Sequence, residues 1–197
     1  QEWRADETAD RLIRERQIEP LILVGVYNAG AERLQEYTPT RDGRGRGGGG
    51  DAYVRFLSEE LKPFVDRNYR TRPEPQDTAV GGSSLGALIS LHAAFSRPDL
   101  YGKVAALSPS VWWDERRVVD QVQRLARRPR LRVWLDIGTD EGYAALPDAR
   151  QMRDAMVAKG WRLGDDLSYH EAEGAGHNEA AWAARFDRVL TFLFPRR

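Results

Sequence analysis

The stretch Val80-Gly81-Gly82-Ser83-Ser84-Leu85-Gly86-Ala87 decides how this chain is expected to fold. It contains the pattern Gly82-x-Ser84-x-Gly86, in which a strand turns sharply into a helix and holds its serine in a strained backbone conformation. An apolar run precedes the pattern and a helix-like run follows it. We expect both glycines to be needed, because side chains there would collide with the neighbouring strand and helix. The hydroxyl would stand at a helix N-terminus, where backbone N–H groups stabilise a developing negative charge.

Apolar runs alternate with helix-like segments along the rest of the chain. The runs that predict strands are 21–27, 78–80, 104–107, 131–137 and 167–173. Because strands and helices alternate, we expect one α/β domain over residues 1–197, built on a parallel sheet with helices on both faces. The low-complexity segment 41–50 (RDGRGRGGGG) predicts a flexible loop and not a phosphate loop, since no Gly-Lys-Ser/Thr follows it.

Composition excludes several classes of protein. The 197 residues hold 30 Lys+Arg and 30 Asp+Glu, so the basic excess of a nucleic-acid binder is missing. There is no cysteine, which excludes disulfides and thiolate metal sites. No apolar run approaches the ~20 residues of a membrane span. We expect no nucleic-acid or membrane partner, no metal and no cofactor; cytoplasmic, periplasmic and secreted locations and any oligomeric state stay open.

Candidate partners for Ser84 stand in the chain order serine, acid, histidine. A serine hydroxyl needs a histidine to take its proton and a carboxylate to orient that histidine. His177 lies in a Gly-flanked loop after the last predicted strand, and Asp140 and Glu141 lie in the loop after the strand before it. Spacing leaves the choice of acid open. Other candidates lie inside a helix or strand and are given structural roles: His92, His170 and Asp136.

Several motifs together resemble the enterochelin-esterase-like (esterase D-type) branch of the α/β-hydrolases. In chain order they are Asn28, Arg33-Leu34-x-Glu36-Tyr37, Gly50-Asp51-Ala52-Tyr53-x-Arg55-Phe56-Leu57, Glu60-Leu61-Lys62-Pro63-Phe64-Val65-Asp66, Tyr69-Arg70-Thr71, the elbow itself and Ser108-Pro109-Ser110-x-Trp112-Trp113. The similarity covers most of the chain. It implies an α/β-hydrolase-type fold and a serine esterase that acts on a small-molecule ester through an acyl-enzyme.

The resemblance also implies roles for individual residues. Ser84 becomes the nucleophile, His177 the base and the Leu85 N–H an oxyanion donor. The acid of the family usually stands fourth in a Gly-Thr-x-acid loop, which favours Glu141 and keeps Asp140 as the alternative. Side chains expected to contact substrate are Asn28, Trp112 and Trp113, although one of the two tryptophans could instead belong to the core.

One departure from the family lies at the N-terminus. The resemblance implies a strand earlier in the chain that ends in Asp-Gly and whose loop supplies a second oxyanion amide. In the sheet this strand would lie between the strand predicted over 21–27 and the elbow strand. Nothing before the elbow matches it, so we expect an N-terminally shortened domain without the family's N-terminal strands, or a sheet that has closed up without them. The Asn28–Ala29 loop is a candidate substitute donor. Acyl transfer to a sugar or other alcohol, and a non-catalytic hydrolase-fold fragment, are the alternative functions.

Overall fold

The computed structural model describes residues 3–196, and their strands form one parallel four-stranded sheet. The strands follow each other in chain order: β1 (Ala79–Ser83), β2 (Lys103–Leu107), β3 (Arg132–Gly138) and β4 (Leu167–Ala172). Ser83 pairs with Leu107, and Leu107 pairs with Asp136. The carboxyl ends therefore lie side by side, and the loops that follow them meet at one edge of the sheet.

Helices surround the sheet, as the alternating pattern predicts. They are α1 (Ala5–Arg14), α2 (Arg33–Tyr37), α3 (Gly50–Arg55), α4 (Lys62–Asn68), α5 (Leu85–Ser96), α6 (Arg117–Arg124), α7 (Ala145–Ala158), α8 (Glu179–Ala183) and α9 (Phe186–Leu193). A π-helical turn over Phe56–Leu61 joins α3 to α4. Within the described residues, no helix combines the length and the hydrophobicity that crossing a bilayer requires.

Two apolar clusters cover the two faces of the sheet. Successive residues of a strand point to opposite faces, and β2 follows this rule: Val104 and Ala106 pack with α5, α6 and α7, whereas Ala105 and Leu107 pack with α1 and α9. All five residues of β2 are buried. The expected parallel sheet with helices on both faces is thereby confirmed.

The strand predicted over 21–27 is wrong. This segment lies outside the sheet, and Ile22, Leu23 and Val24 are 44–49% exposed. Residues 21–24 and 26 line a cavity of about 1700 Å³ that is also lined by β1. A strand needs a neighbour for its backbone hydrogen bonds, and no backbone–backbone hydrogen bond involves residues 21–27 in the described part of the chain.

The Gly/Arg-rich segment 41–50, expected to be a flexible loop, is organised by Asp42. One carboxylate oxygen of Asp42 accepts hydrogen bonds from the N–H groups of Arg44 and Arg46, each at 2.9 Å, and the other accepts from the Arg46 side chain at 2.8 Å. Gly50, the last residue of the segment, is buried and begins α3. The short side chain of Asp42 thus accepts hydrogen bonds from the residues that follow it and closes the start of the glycine-rich segment into a turn.

Candidate active site

The elbow places Ser84 between β1 and α5 at the edge where the strands end. Ser84 has φ 59° and ψ −125°, a backbone conformation that L-residues rarely adopt. A Cβ atom at Gly82 would lie 2.8 Å from the Gly86 carbonyl carbon, so the strand and helix can approach only because residue 82 is glycine. The collision expected at Gly86 is not found, since its nearest neighbour would be the Tyr37 ring at 3.9 Å.

Glu141 and His177 form a hydrogen-bonded pair between the loops that follow β3 and β4. Glu141 follows β3, and its Oε2 accepts a hydrogen bond from His177 Nδ1 at 2.7 Å. The other oxygen, Oε1, accepts from the Gly138 N–H at 2.7 Å and from the Ser108 hydroxyl at 2.5 Å. The Glu141 side chain is 1% exposed and that of His177 is 43% exposed. Asp140, the alternative acid, is exposed to solvent.

The hydrogen bonds to Glu141 keep its carboxylate ionised. Burial by itself raises the pKa of Glu141, because a buried charge loses its hydration. The donors from His177, Ser108 and Gly138 outweigh burial and hold the pKa of Glu141 below its usual value. A buried carboxylate with three donors can orient an imidazole through Nδ1 and stabilise the positive charge that the imidazole gains as a base.

The candidate nucleophile Ser84 contacts Ser110, which lines a pocket together with Glu141 and His177. Ser84 Oγ shares a hydrogen bond with Ser110 Oγ at 3.3 Å, and none connects Ser84 to His177 among the described residues. Catalytic hydrogen bonds are often long in ligand-free structures and shorten only with substrate. Leu85 is the first residue of α5, so its N–H belongs to the turn whose donors have no acceptor inside the helix.

A pocket of about 510 Å³ adjoins the Glu141–His177 pair. Trp112 and Tyr143 line it and are largely exposed, so both rings are accessible from solvent. Trp113 lies in the core instead, 2% exposed, with its indole N–H donating to the Thr40 carbonyl at 2.9 Å. Of the two tryptophans, Trp113 is thus the one that belongs to the core, which is the alternative left open by the sequence.

Asn28 lies on the larger cavity beside β1 and does not line the pocket that holds His177. Its side-chain oxygen accepts a hydrogen bond from the Gly30 N–H at 3.0 Å. The Ala29 N–H donates to Glu36 at 2.9 Å. Of the candidate substitute oxyanion donors in this loop, the Ala29 N–H is therefore already engaged in a local hydrogen bond.

The histidines and the aspartate given structural roles have protein partners. His92 Nε2 lies 2.8 Å from Asp51 Oδ1, and His170 Nε2 lies 3.3 Å from the Arg188 guanidinium. Asp136 is fully buried and forms an ion pair with Arg185 at 2.8 Å. No group of three or more His, Cys, Asp or Glu side chains within residues 3–196 is arranged to hold a metal ion.

Sequence reasoning missed Arg185 and gave no individual role to Ser108. The one signal available for Ser108 was its position in Ser108-Pro109-Ser110, directly after a buried strand. Open α/β sheets place functional groups at such positions. Arg185 lies between α8 and α9, where nothing in the local pattern distinguishes it from a surface arginine.

The family model described as "Putative esterase" matches residues 1–193 of this chain. The chain belongs to this family. It is a carboxylic ester hydrolase of the enterochelin-esterase-like branch. The esterase is 26% identical to the protein YbbA of Bacillus subtilis over 201 residues, which cover 95% of this chain and 79% of YbbA.

Two further comparisons place the esterase among known proteins. It is 36% identical over 77 residues to a siderophore enterobactin esterase of Emericella nidulans, in an alignment that covers 39% of this chain and 25% of the fungal protein. The crystal structure of the BES protein from Bacillus cereus superposes with a TM-score of 0.75 at 21% identity, covering 97% of this chain and 76% of that one. At that identity the superposition shows the shared fold.

Proposed function

We propose that this esterase cleaves a small-molecule carboxylic ester through an acyl-enzyme formed on Ser84. The observation that carries the proposal is the 2.7 Å hydrogen bond between Glu141 Oε2 and His177 Nδ1, in a pocket also lined by Ser110, whose hydroxyl lies 3.3 Å from Ser84 Oγ. That bond leaves His177 Nε2 as the nitrogen that can accept a proton. The arrangement supports the division of roles seen in serine hydrolases: nucleophile, base and orienting acid.

The reaction follows from these positions. Ser84 Oγ attacks the ester carbonyl carbon while His177 Nε2 takes its proton, and the carbonyl oxygen becomes an oxyanion at the N-terminus of α5. There the Leu85 N–H is the donor that we assign to it. Collapse of the tetrahedral intermediate expels the alcohol, which receives the proton from His177. Water then attacks the acyl-enzyme while His177 takes its proton. Collapse of this second intermediate returns the proton from His177 to Ser84 Oγ and releases the acid product.

The pocket and the relatives support a proposal for the kind of substrate. Trp112 and Tyr143 present rings at the mouth of the pocket beside His177, where they can pack against an apolar part of the ester. One relative is described as a siderophore enterobactin esterase. We therefore propose a small ester as substrate, with Trp112 rather than Trp113 in contact with it.

Ser84→Ala tests the proposal directly. Turnover of p-nitrophenyl acetate should fall by at least ~10³-fold, because removal of the nucleophile leaves only oxyanion and binding effects. The far-UV circular dichroism should not change. Ser96→Ala is the matched control, since Ser96 is an exposed serine at the other end of α5, and it should keep full turnover. Retained turnover in Ser84→Ala contradicts the assignment of the nucleophile.

A further inference from the structure

The hydroxyl of Ser108 is the centre of a buried hydrogen-bond network behind the candidate acid. Ser108 Oγ donates to Glu141 Oε1 at 2.5 Å and accepts from Trp182 Nε1 at 2.9 Å and from an Arg185 guanidinium nitrogen at 2.8 Å. A serine hydroxyl has one proton to donate and two lone pairs to accept with. All three are used here, so the direction of the Ser108 O–H bond is fixed toward Glu141.

An ion pair anchors this network on the side away from His177. The same Arg185 nitrogen that donates to Ser108 also donates to Asp136 Oδ1 at 2.8 Å, and the side chains of Arg185 and Asp136 are 4% and 0% exposed. Asp136 is itself fixed by the Trp134 indole N–H at 2.6 Å and by the Ser108 N–H at 3.1 Å. Breaking such a buried pair would leave an uncompensated charge, so the position of Arg185 is strongly determined.

Ser108 contacts the Glu141 carboxylate directly, whereas Arg185 acts on it only through Ser108. The Arg185 guanidinium lies 3.8 Å from Glu141 Oε1, beyond hydrogen-bonding distance, whereas Ser108 lies between them and bonds to both. Two donors on one hydroxyl oxygen polarise it and strengthen the hydrogen bond that it donates. The Glu141 side chain is almost completely buried, so this hydrogen bond acts where little water screens it.

The backbone of Ser108 has a conformation that serine rarely adopts, so the surrounding structure must hold it there. Ser108 has φ 45°, in the left-handed region, and it is 1% exposed. A non-glycine residue persists there only when its surroundings fix it. The residue follows β2 directly, and its N–H donates to the carbonyl of Asp136 on the neighbouring strand. The sheet edge thus sets the point from which the hydroxyl reaches Glu141.

We propose that Ser108 is a positioning residue for the triad, which holds the Glu141 carboxylate in the orientation that His177 requires and links it to the Arg185–Asp136 ion pair. The role rests on the triad assignments proposed above. Ser108 does not touch the reacting atoms in this scheme. Its hydroxyl fixes one oxygen of the Glu141 carboxylate so that the other faces Nδ1 of His177. Because Arg185 donates to the same hydroxyl, it strengthens the hydrogen bond that stabilises the buried negative charge.

A titration of Glu141 tests this role without relying on turnover. The charged and titratable groups around the carboxylate are His177, Arg185 and Asp136, with Asp148 on the wall of the same pocket. In protein labelled with ¹³C at glutamate side chains, Ser108→Ala should move the midpoint of the Glu141 carboxyl titration to higher pH, because the ionised form loses a donor. An unchanged midpoint would overturn the proposal.

Ser58→Ala is the matched control for loss of a buried hydroxyl. Ser58 is 5% exposed and shares a hydrogen bond with Tyr101 OH at 3.2 Å, outside the network around Glu141. Its variant should lose thermal stability much as Ser108→Ala does, yet leave the Glu141 midpoint and kcat as in the wild type. If both variants moved the midpoint equally, a general loosening of the fold would explain the effect and Ser108 would have no positioning role.

Kinetics supply the second readout. Ser108→Ala should lower kcat by about 10- to 100-fold, the size expected for one hydrogen bond to a charged group, while KM changes little. Ser108→Gly removes the same hydroxyl and relaxes the positive φ, so it should reproduce these effects even where Ser108→Ala is poorly folded. Wild-type kcat in a folded Ser108→Gly protein would overturn the proposal.

The outcomes separate this role from the proposed function. If Ser84→Ala abolishes turnover and the Ser108 variants change neither the Glu141 midpoint nor kcat, only the role of Ser108 fails. If Ser84→Ala keeps its turnover while Ser108→Ala still moves the midpoint, the nucleophile assignment fails and the hold of Ser108 on the carboxylate stands.

Discussion

Glu141 and Asp140 are chain neighbours in opposite environments. The Glu141 side chain turns inward, 1% exposed, and accepts hydrogen bonds from His177, Ser108 and the Gly138 N–H. Asp140 points to solvent, and its N–H donates to the Ala175 carbonyl. The longer glutamate side chain can turn back to the end of β3 and still reach His177. Only Glu141 is therefore in a position to orient the imidazole.

Paired substitutions distinguish the two carboxylates. Glu141→Gln should lower kcat by roughly 10³- to 10⁴-fold, because an amide cannot stabilise the imidazolium and favours the wrong tautomer. Asp140→Asn should leave kcat within about twofold of the wild type. Steady-state kinetics on one activated ester measure both. Equal small losses would indicate a serine–histidine pair that works without an acid.

Local sequence narrowed the candidate acid to two neighbouring residues but could not reveal the partners that surround it. The order serine, acid, histidine pointed to the loop that holds Asp140 and Glu141, but spacing alone left these two residues equivalent, and only the family resemblance favoured Glu141. The partners of Ser108 were out of reach: Trp182 and Arg185 are 74 and 77 positions away in the chain. Such contacts depend on how α8 and α9 pack on the sheet, which no local pattern encodes.

The turn from β1 into α5 depends on its two glycines in different ways. At Gly82 an added Cβ would meet the backbone of Gly86 at 2.8–3.1 Å, and backbone cannot move aside cheaply. At Gly86 the nearest atom is 3.9 Å away on the Tyr37 ring, an ordinary van der Waals contact. The close approach of strand and helix therefore requires glycine on the strand side only.

Alanine at each glycine measures this difference. Gly82→Ala should destabilise the fold by about 1–3 kcal/mol, because the helix must shift to make room for the methyl group. Gly86→Ala should leave stability unchanged or raise it by up to ~1 kcal/mol, since alanine is the better helix former. Urea unfolding of both variants provides the comparison. Equal losses at the two positions would show that the elbow is not limited by this contact.

Strand prediction succeeded where a partner exists and failed where none does. The runs that became β2, β3 and β4 were predicted to within a few residues, and each lies beside another strand of the sheet. Residues 21–27 carry the same continuous apolar pattern, yet they remain outside the sheet. Hydrophobic pattern reports the preference of a segment to be buried, whereas a strand also needs an edge to pair with.

An apolar segment without a strand partner, residues 21–27, lines a cavity together with β1. The cavity has a volume of about 1700 Å³, and residues 21–24 and 26 of the segment line it. Large apolar side chains exposed in one segment are uncommon on soluble proteins. Backbone amides in this segment have no backbone partner in the described chain, in contrast to those of β2 and β3 in the middle of the sheet.

Hydrogen exchange measures this contrast. The amides of Leu23 and Val24 should exchange within about tenfold of the rate in an unstructured peptide, because no hydrogen bond has to open first. Those of Val133 and Leu135 in β3 should be protected by many orders of magnitude, since their exchange requires opening of the sheet. Strong protection at Leu23 and Val24 would mean that the segment is paired after all.

Membership of the esterase family, the fold and the position of the elbow all lead to one group, the hydroxyl of Ser84. Three serines lie close together there, because Ser83 precedes it in the chain and Ser110 Oγ is 3.3 Å from its hydroxyl. Only Ser84 combines a strained backbone with a place at the N-terminus of α5. Its reactivity should therefore exceed that of its two neighbours.

Labelling with a fluorophosphonate, followed by intact-mass analysis and peptide mapping, compares the three serines in one measurement. We expect one adduct for each chain, located on Ser84, formed more slowly in His177→Ala and absent in Ser84→Ala. An adduct on Ser83 or Ser110, or no adduct on a folded protein, would contradict the assignment of Ser84 as the nucleophile.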